Sequence, residues 1–383
     1  MLKAALVVFG LAVAVAGAEV ALRLVPAPER KAHLVSDPVR HHRLQRSWSG
    51  VVQGFPYRTN VLGLRDRDIA TPKPAGVVRV LMLGDSFTEG GGFRDEDTVP
   101  RQAERALRAT CAGIEVVNAG TASYSPILEY LQFREIGPAV APDLVVVNLE
   151  MTDMHDDLIR TRLAELDADR LPIRVATNRR RETAMLLPPA FPASLRLADD
   201  GLARLMLWQG FRKSGAGRRT FGDLNLDEAA LRARGLLGDL RYDRLAITRD
   251  APARDEAAAW ETTAHYLVAI QRTAARLGAR FAVVVYPYAH QVAAHESPGG
   301  RAVFGVGPGL YASDRPFRTA AALGERHAFR VIDLLAAFRR RADPARPLFR
   351  SDDIHHTVDG ARVMAEGIAA GLLEAALVPG CPR

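Results

Sequence analysis

Continuous apolar runs alternate with stretches of helical periodicity along most of this chain. Val77–Leu83 (VVRVLML) is β-rich and ends at Gly84, the pattern of a central strand covered on both faces. Pro100–Leu107 reads as a helix, with Thr98 as candidate N-cap and Pro100 in its first turn. Glu115–Asn118 is a short strand that ends at Ala119-Gly120, and Ile127–Ile136 is helical. Leu144–Leu149, after Pro142-Asp143, is a third apolar strand. Trp260, Ala264, Leu267, Ile270, Ala274 and Leu277 recur at helical spacing across Glu256–Leu277, and Gly278 stops the pattern. Phe281–Tyr286 is a fourth strand, closed by Pro287, and Phe329–Ile332 is a fifth. Arg315–Arg326, Leu334–Arg340 and Val358–Ala376 are helical. Strands alternating with helices predict an α/β fold, a sheet of about five parallel strands with helices on both faces.

The segments outside this alternation set the expected domain organisation. Met1-Leu2-Lys3 precedes an apolar run, Ala4–Ala18, ending in the small-x-small sequence Ala16-Gly17-Ala18. Residues 1–25 therefore read as a signal peptide or an N-terminal membrane anchor, which places the folded part outside the cytoplasm. Residues 26–76 read as an extended lead-in, polar and Pro/His/Arg-rich over 26–60. Residues 77–155 and 256–376 form the α/β domain. The stretch 156–255 is too long for a bare loop and reads as an insertion or lid.

Composition narrows the function classes. With 383 residues and 48% hydrophobic content the chain is an ordinary globular protein. Its formal charge of +7 comes almost wholly from Arg, since Lys occurs only at Lys3, Lys31, Lys73 and Lys213. The Arg residues are scattered and aromatics make up only 7%, so the basic stripe of a nucleic-acid reader is missing. Cys111 and Cys381 lie far apart without ligand spacing, which argues against a sulfur-bound metal. Cys111 is expected as a buried thiol and Cys381 in a loose tail.

Two segments carry chemistry. Gly84-Asp85-Ser86 follows the first apolar strand directly, where open α/β sheets bind ligands. A Ser flanked by Gly suits a nucleophile with backbone N–H groups nearby, and an N-capping Ser is the plainer alternative. Ser351-Asp352-Asp353-Ile354-His355-His356-Thr357 precedes the last helix. A Ser hydroxyl needs a base, and the base needs an acid to fix its tautomer. Asp352 and Asp353, three and two residues before His355, both meet that need. Asp153-His155 is a partial competitor.

Together these segments resemble the SGNH/GDSL hydrolase family. Gly84-Asp85-Ser86 is similar to its GDS block, and His355 followed by Gly360 is similar to its His block. Asp353-Ile354-His355-His356-Thr357 is similar to the D-x-H-W-T pattern of a membrane-anchored branch associated with exopolysaccharide acetylation. That branch favours Asp353, and the family at large favours Asp352. Val117-Asn118-Ala119-Gly120 resembles the block whose Gly N–H serves the oxyanion. Met151-Thr152-Asp153 stands where the family has G-N-D, so Thr152 replaces an Asn donor. Asn60-Val61-Leu62-Gly63-Leu64-Arg65 resembles an N-G-(F/L)-R lead-in of anchored or secreted members.

The resemblance implies a three-layer, flavodoxin-like fold and a serine esterase or acyltransferase without metal or cofactor. Its implied machinery is Ser86, His355 and Asp353 or Asp352, with Ser86, Gly120 and Thr152 as oxyanion donors. Its implied substrate is an O-acyl, foremost O-acetyl, group on a cell-envelope or exported carbohydrate, or a small ester. Two other readings stay open. The Met151-Thr152 departure suggests a non-catalytic envelope protein that binds polysaccharide or a synthesis partner. The apolar residues of the insertion, such as Leu186, Leu187 and Leu202, suggest a lipid-directed esterase.

Overall fold

A computed structural model describes residues 33–175, 244–303, 306 and 311–382, together with Gly10 and Val13. The chain divides into two units, His33–Thr177 with Asp239–Arg383, and Met1–Ala32 with Asn178–Gly238. The expected leader and the middle of the expected insertion, 176–243, lie outside the described residues. No helix among the described residues is long and apolar enough to cross a membrane.

The first unit is built on a five-stranded parallel sheet. Its strands are β5 (Val78–Gly84), β6 (Ile114–Gly120), β7 (Leu144–Leu149), β10 (Arg280–Val285) and β11 (Arg330–Asp333). They lie in the order β11-β10-β7-β5-β6. Every residue of β7 is buried, as are all of β5 after Val78, which explains why both read as unbroken apolar runs. Register is fixed from Val78 opposite Ile114 to Gly84 opposite Gly120. On its other side β5 pairs from Val80 opposite Leu144 to Leu83 opposite Val147. The chain therefore leaves β5 toward one edge through β6 and returns to the other side through β7. The carboxyl ends of β5 and β7 form the switch point at which such sheets bind ligands.

Helices cover the sheet. They are α1 (Ser86–Glu89), α2 (Val99–Arg108), α3 (Pro126–Val140), α4 (Asp153–Leu163), α5 (Glu256–Arg276), α6 (Ala289–Val292), α7 (Pro298–Val303), α8 (Arg315–His327), α9 (Leu335–Arg341) and α10 (Val358–Glu374). The α2 and α10 helices pack together, and α3, α4 and α5 form a second group. This is the three-layer arrangement. Pro126 opens α3 at a position where a missing N–H costs nothing. Thr357 caps α10 by accepting the Gly360 N–H at 3.2 Å. Thr98 stands at the N-cap of α2, yet its hydroxyl donates backward to Asp95 O at 2.8 Å and leaves the helix uncapped by a side chain.

Two expectations are corrected. The lead-in holds two antiparallel hairpins, β1 (Leu34–Asp37) with β2 (His41–Leu44), and β3 (Ser49–Val52) with β4 (Phe55–Arg58). Four-residue strands are too short for alternation to show in sequence, and their inward side chains, Leu44, Val52 and Tyr57, form a small core of their own. After β7 a third hairpin, β8 (Ala164–Leu166) with β9 (Pro172–Val175), opens the expected insertion.

Cys111 and Cys381, in turn, are joined as a disulfide across 270 residues, with Cα atoms 5.4 Å apart. Separation along the chain says nothing of distance here. The segment after α10 packs its Leu377, Val378 and Cys381 against the main core, which also includes Cys111, three residues before β6. Denatured protein kept free of reductant should therefore show no thiol reactive toward a chromogenic disulfide reagent, and two after reduction. Cys111→Ser should lower the unfolding midpoint, in keeping with the ~2–5 kcal/mol that native disulfides commonly contribute.

Candidate active site

The β5 strand ends at Gly84, whose φ of 156° and tight surroundings admit no side chain. A Cβ there would lie 2.2 Å from Thr88 Oγ1. The turn that follows puts Asp85, not Ser86, at the N-cap of α1, where its carboxylate accepts the Phe87 N–H at 2.9 Å. Ser86 is thereby the first residue of the helix. Its side chain is free to face outward, and its N–H has no acceptor within the helix.

The second segment is held as a tight loop. Phe349 and His356 form an antiparallel bridge, Arg350 N–H donates to His355 O at 2.9 Å, and Thr357 N–H donates to Leu348 O at 2.9 Å. Glu296, fully buried, accepts the N–H groups of Leu348 and Phe349 at 3.0 Å. Ser297 Oγ donates to the carbonyl of Asp353 at 2.6 Å. His356 is 1% exposed and boxed by Phe87, Tyr286, Phe338 and Phe349, with ring centroids 4.8 to 5.9 Å away. Burial, then the charge of His355, lowers its pKa to about 3, so it is neutral.

These two segments meet. Ser86 Oγ lies 2.8 Å from His355 Nε2, and His355 Nδ1 lies 2.7 Å from Asp353 Oδ2. The pattern fixes the tautomer: Nδ1–H donates to Asp353, and Nε2 accepts from the Ser86 hydroxyl. Asp353 Oδ1 accepts the Ile354 N–H at 2.7 Å. Burial pushes the Asp353 carboxyl up, but the His355 hydrogen bond and charge, the Ile354 N–H and Arg350 outweigh it and hold the group below its ordinary value. The Phe87 ring packs against His355 at a tilt of 37°, with centroids 4.8 Å apart. Of the two acids offered by the sequence, Asp353 is the one that touches the ring, and Asp352 is exposed. Asp153 belongs to α4 and accepts the Glu150 N–H at 2.8 Å, away from this pairing.

Two expected oxyanion donors are already engaged. The Gly120 N–H donates to Asn118 Oδ1 at 3.0 Å, because the Asn side chain folds back over the strand end. The single hydroxyl proton of Thr152 goes to Glu150, and its oxygen accepts from Arg244 at 3.1 Å. Both bonds come from turn geometry that the motif alone does not reveal. Further along the same loop Ser123 has a left-handed backbone, φ 61°, and is exposed. Its N–H finds no acceptor among the described residues. Nothing in the sequence marks it, since a Ser holds a conformation usually left to Gly.

Fold and site define a three-layer α/β protein with a Ser–His–Asp chain of hydrogen bonds at the carboxyl ends of its sheet. The family model described as "SGNH hydrolase-like domain, acetyltransferase AlgX" matches residues 247–382, which contain Asp353 and His355 but not Ser86. The acetyl xylan esterase AlAXEase is similar in structure at 12% identity and a TM-score of 0.40, covering 77% of this chain and 100% of that one. A catalytic mutant of Axe2, an acetylxylan esterase from Geobacillus stearothermophilus, is similar at 13% identity and a TM-score of 0.37, with 77% and 94% covered. TesA is similar at 12% identity and a TM-score of 0.38, with 77% and 97% covered. No curated protein matches the sequence.

Below the rim sits a group of buried acids. Burial raises Asp85 to about 7, and burial with the charge of Asp85 raises Glu150 to about 8. The folded state thus holds protons that the unfolded chain has already released. Above pH ~7.5, where the histidines of the unfolded chain are nearly all neutral too, stability should fall as pH rises through 8. Unfolding midpoints between pH ~7.5 and 9 check this, and Glu150→Gln should flatten the slope.

Proposed function

We propose that this protein is a serine esterase or acyltransferase acting on O-acyl groups, O-acetyl foremost, of an exported or cell-envelope carbohydrate. The observation that carries the reading is the Ser86–His355–Asp353 chain of hydrogen bonds, at 2.8 and 2.7 Å. The family model's description, an acetyltransferase, supports the choice of acetyl.

In this reading Ser86 Oγ attacks the ester carbonyl carbon while His355 Nε2 takes its proton. Asp353, held ionised, stabilises the imidazolium and keeps the ring oriented. The Ser86 N–H faces the developing oxyanion, and the unspent Ser123 N–H takes the part first assigned to Gly120. Collapse of the tetrahedral intermediate breaks the C–O ester bond. The leaving alkoxide receives the proton from His355, and acyl-Ser86 remains. Water or a sugar hydroxyl, deprotonated by His355, then attacks the acyl carbon and releases Ser86 with its proton restored. We also infer an extracytoplasmic location, supported by the Ala4–Ala18 run and by a disulfide of the kind that persists in oxidising compartments.

Hydrolysis of p-nitrophenyl acetate tests the reading. Ser86→Ala should abolish turnover and labelling by a fluorophosphonate probe, and equal rates in variant and wild type would refute it. Asp353→Asn should cost roughly a thousandfold in kcat, whereas Asp352→Asn should stay within about threefold. An added acetyl-accepting oligosaccharide that lowers free acetate relative to nitrophenol would identify transfer.

A further inference from the structure

We propose that Glu89 is a positioning residue that locks the helix carrying Ser86 to the loop after β6, with the β3–β4 hairpin as its brace. The proposal rests on the reading of Ser86 as nucleophile. The α1 helix is a single turn, Ser86–Glu89, too short to hold its own direction. Its orientation must come from bonds at its two ends. Asp85 ties the first end, and Glu89, one turn beyond the nucleophile, ties the other.

Glu89 is 2% exposed and its carboxylate is engaged on both oxygens. Oε1 accepts the Tyr57 hydroxyl of β4 at 2.8 Å, and Oε2 accepts the Ala122 N–H at 2.6 Å. His33 Nε2 lies 3.8 Å from Oε1. The Glu89 carbonyl accepts from Arg65 at 3.0 Å and from Asn118 Nδ2 at 3.3 Å. The Arg65 guanidinium, buried over the Tyr57 ring at 4.5 Å, also donates to the carbonyls of Gly90 and Phe93. Backbones meet closely at this joint: a Cβ on Gly120 would fall 2.2 Å from Glu89 N.

Chemistry explains why this position holds a carboxylate. It faces a hydroxyl and an amide that both donate, and a carboxylate is the acceptor-only group that serves two donors at once. A Gln would turn an N–H toward one of them. The loop it secures includes Ser123, so one side chain sets the spacing between the turn bearing the nucleophile and the neighbouring rim amide. The Asn60–Arg65 lead-in motif acquires a purpose in the same way. Asn60 Oδ1 accepts the N–H groups of Leu62 and Leu64 at 3.0 Å, which delivers Arg65 to the end of α1.

The test uses the full chain with Glu89→Gln, Tyr57→Phe and the double variant. We expect Glu89→Gln to lower kcat for p-nitrophenyl acetate about tenfold or more, with KM within about twofold, and Tyr57→Phe to lower kcat about threefold. The double variant should be no slower than Glu89→Gln, because both act through one joint. Hydrogen exchange at the Ala122 amide should be slow in wild type and about tenfold faster in Glu89→Gln. Wild-type kcat in a folded Glu89→Gln, or rates in the double variant equal to the product of the singles, would overturn the proposal. If Glu89→Gln does not fold, unchanged kcat and unchanged Ala122 exchange in Tyr57→Phe would overturn it. If the wild type hydrolyses no ester, the reading of Ser86 fails separately, and the Ala122 exchange alone decides the positioning claim.

Discussion

Ser86 and His355 stand 269 residues apart in the chain and 2.8 Å apart in space. A hydrogen bond of this kind survives displacements of only a few tenths of an ångström. Neither partner sits within a long element. One is on a single helical turn and the other on a loop. Restraint comes instead from beneath and beside them. The β5 strand, paired on both sides, fixes the base of the turn, and Glu296, Ser297 and the Phe349–His356 bridge fix the base of the loop. Buried polar groups do here what a ladder of strand bonds does elsewhere.

Carboxylates in this molecule behave according to their neighbours. Asp353 sits at the rim among donors and cations and is held ionised. Asp85 and Glu150 lie deeper, where burial outweighs their hydrogen bonds, and each is pushed toward its protonated form. Arg79, wholly buried, gives its donors to Glu115 and to the carbonyls of Val140 and Ala70. Opposite demands are thus met within one core by the local supply of donors and acceptors.

Much of this was legible in the residues. The apolar runs located all five sheet strands to within about two residues, most plainly β5 and β7, because strands covered on both faces cannot hide their composition. Ser86 was legible because it follows such a strand directly, and His355 because two acids stand just before it ahead of the last helix. The engaged state of Gly120 and Thr152 was not, since it depends on side chains folding back by one turn. Short hairpins in the lead-in escaped notice for want of length. The disulfide escaped because nothing in the spacing of Cys111 and Cys381 says that the tail returns to the start of β6. Glu89 reads as one more acid on a short helix until Tyr57 and Ala122 are seen against it.

The bridge between Phe349 and His356 has a consequence for the pair of imidazoles at its end. At such a bridge, neighbouring side chains leave on opposite sides. His355 therefore turns toward Ser86 and solvent, and His356 turns into the aromatic box. The two rings are chemically identical, yet one is hydrogen-bonded to Ser86 and Asp353 and the other can scarcely accept a proton. Their difference is a matter of parity: a slip of one residue at this bridge would exchange the ring that meets Ser86 for the one in the aromatic box while leaving the local composition unchanged.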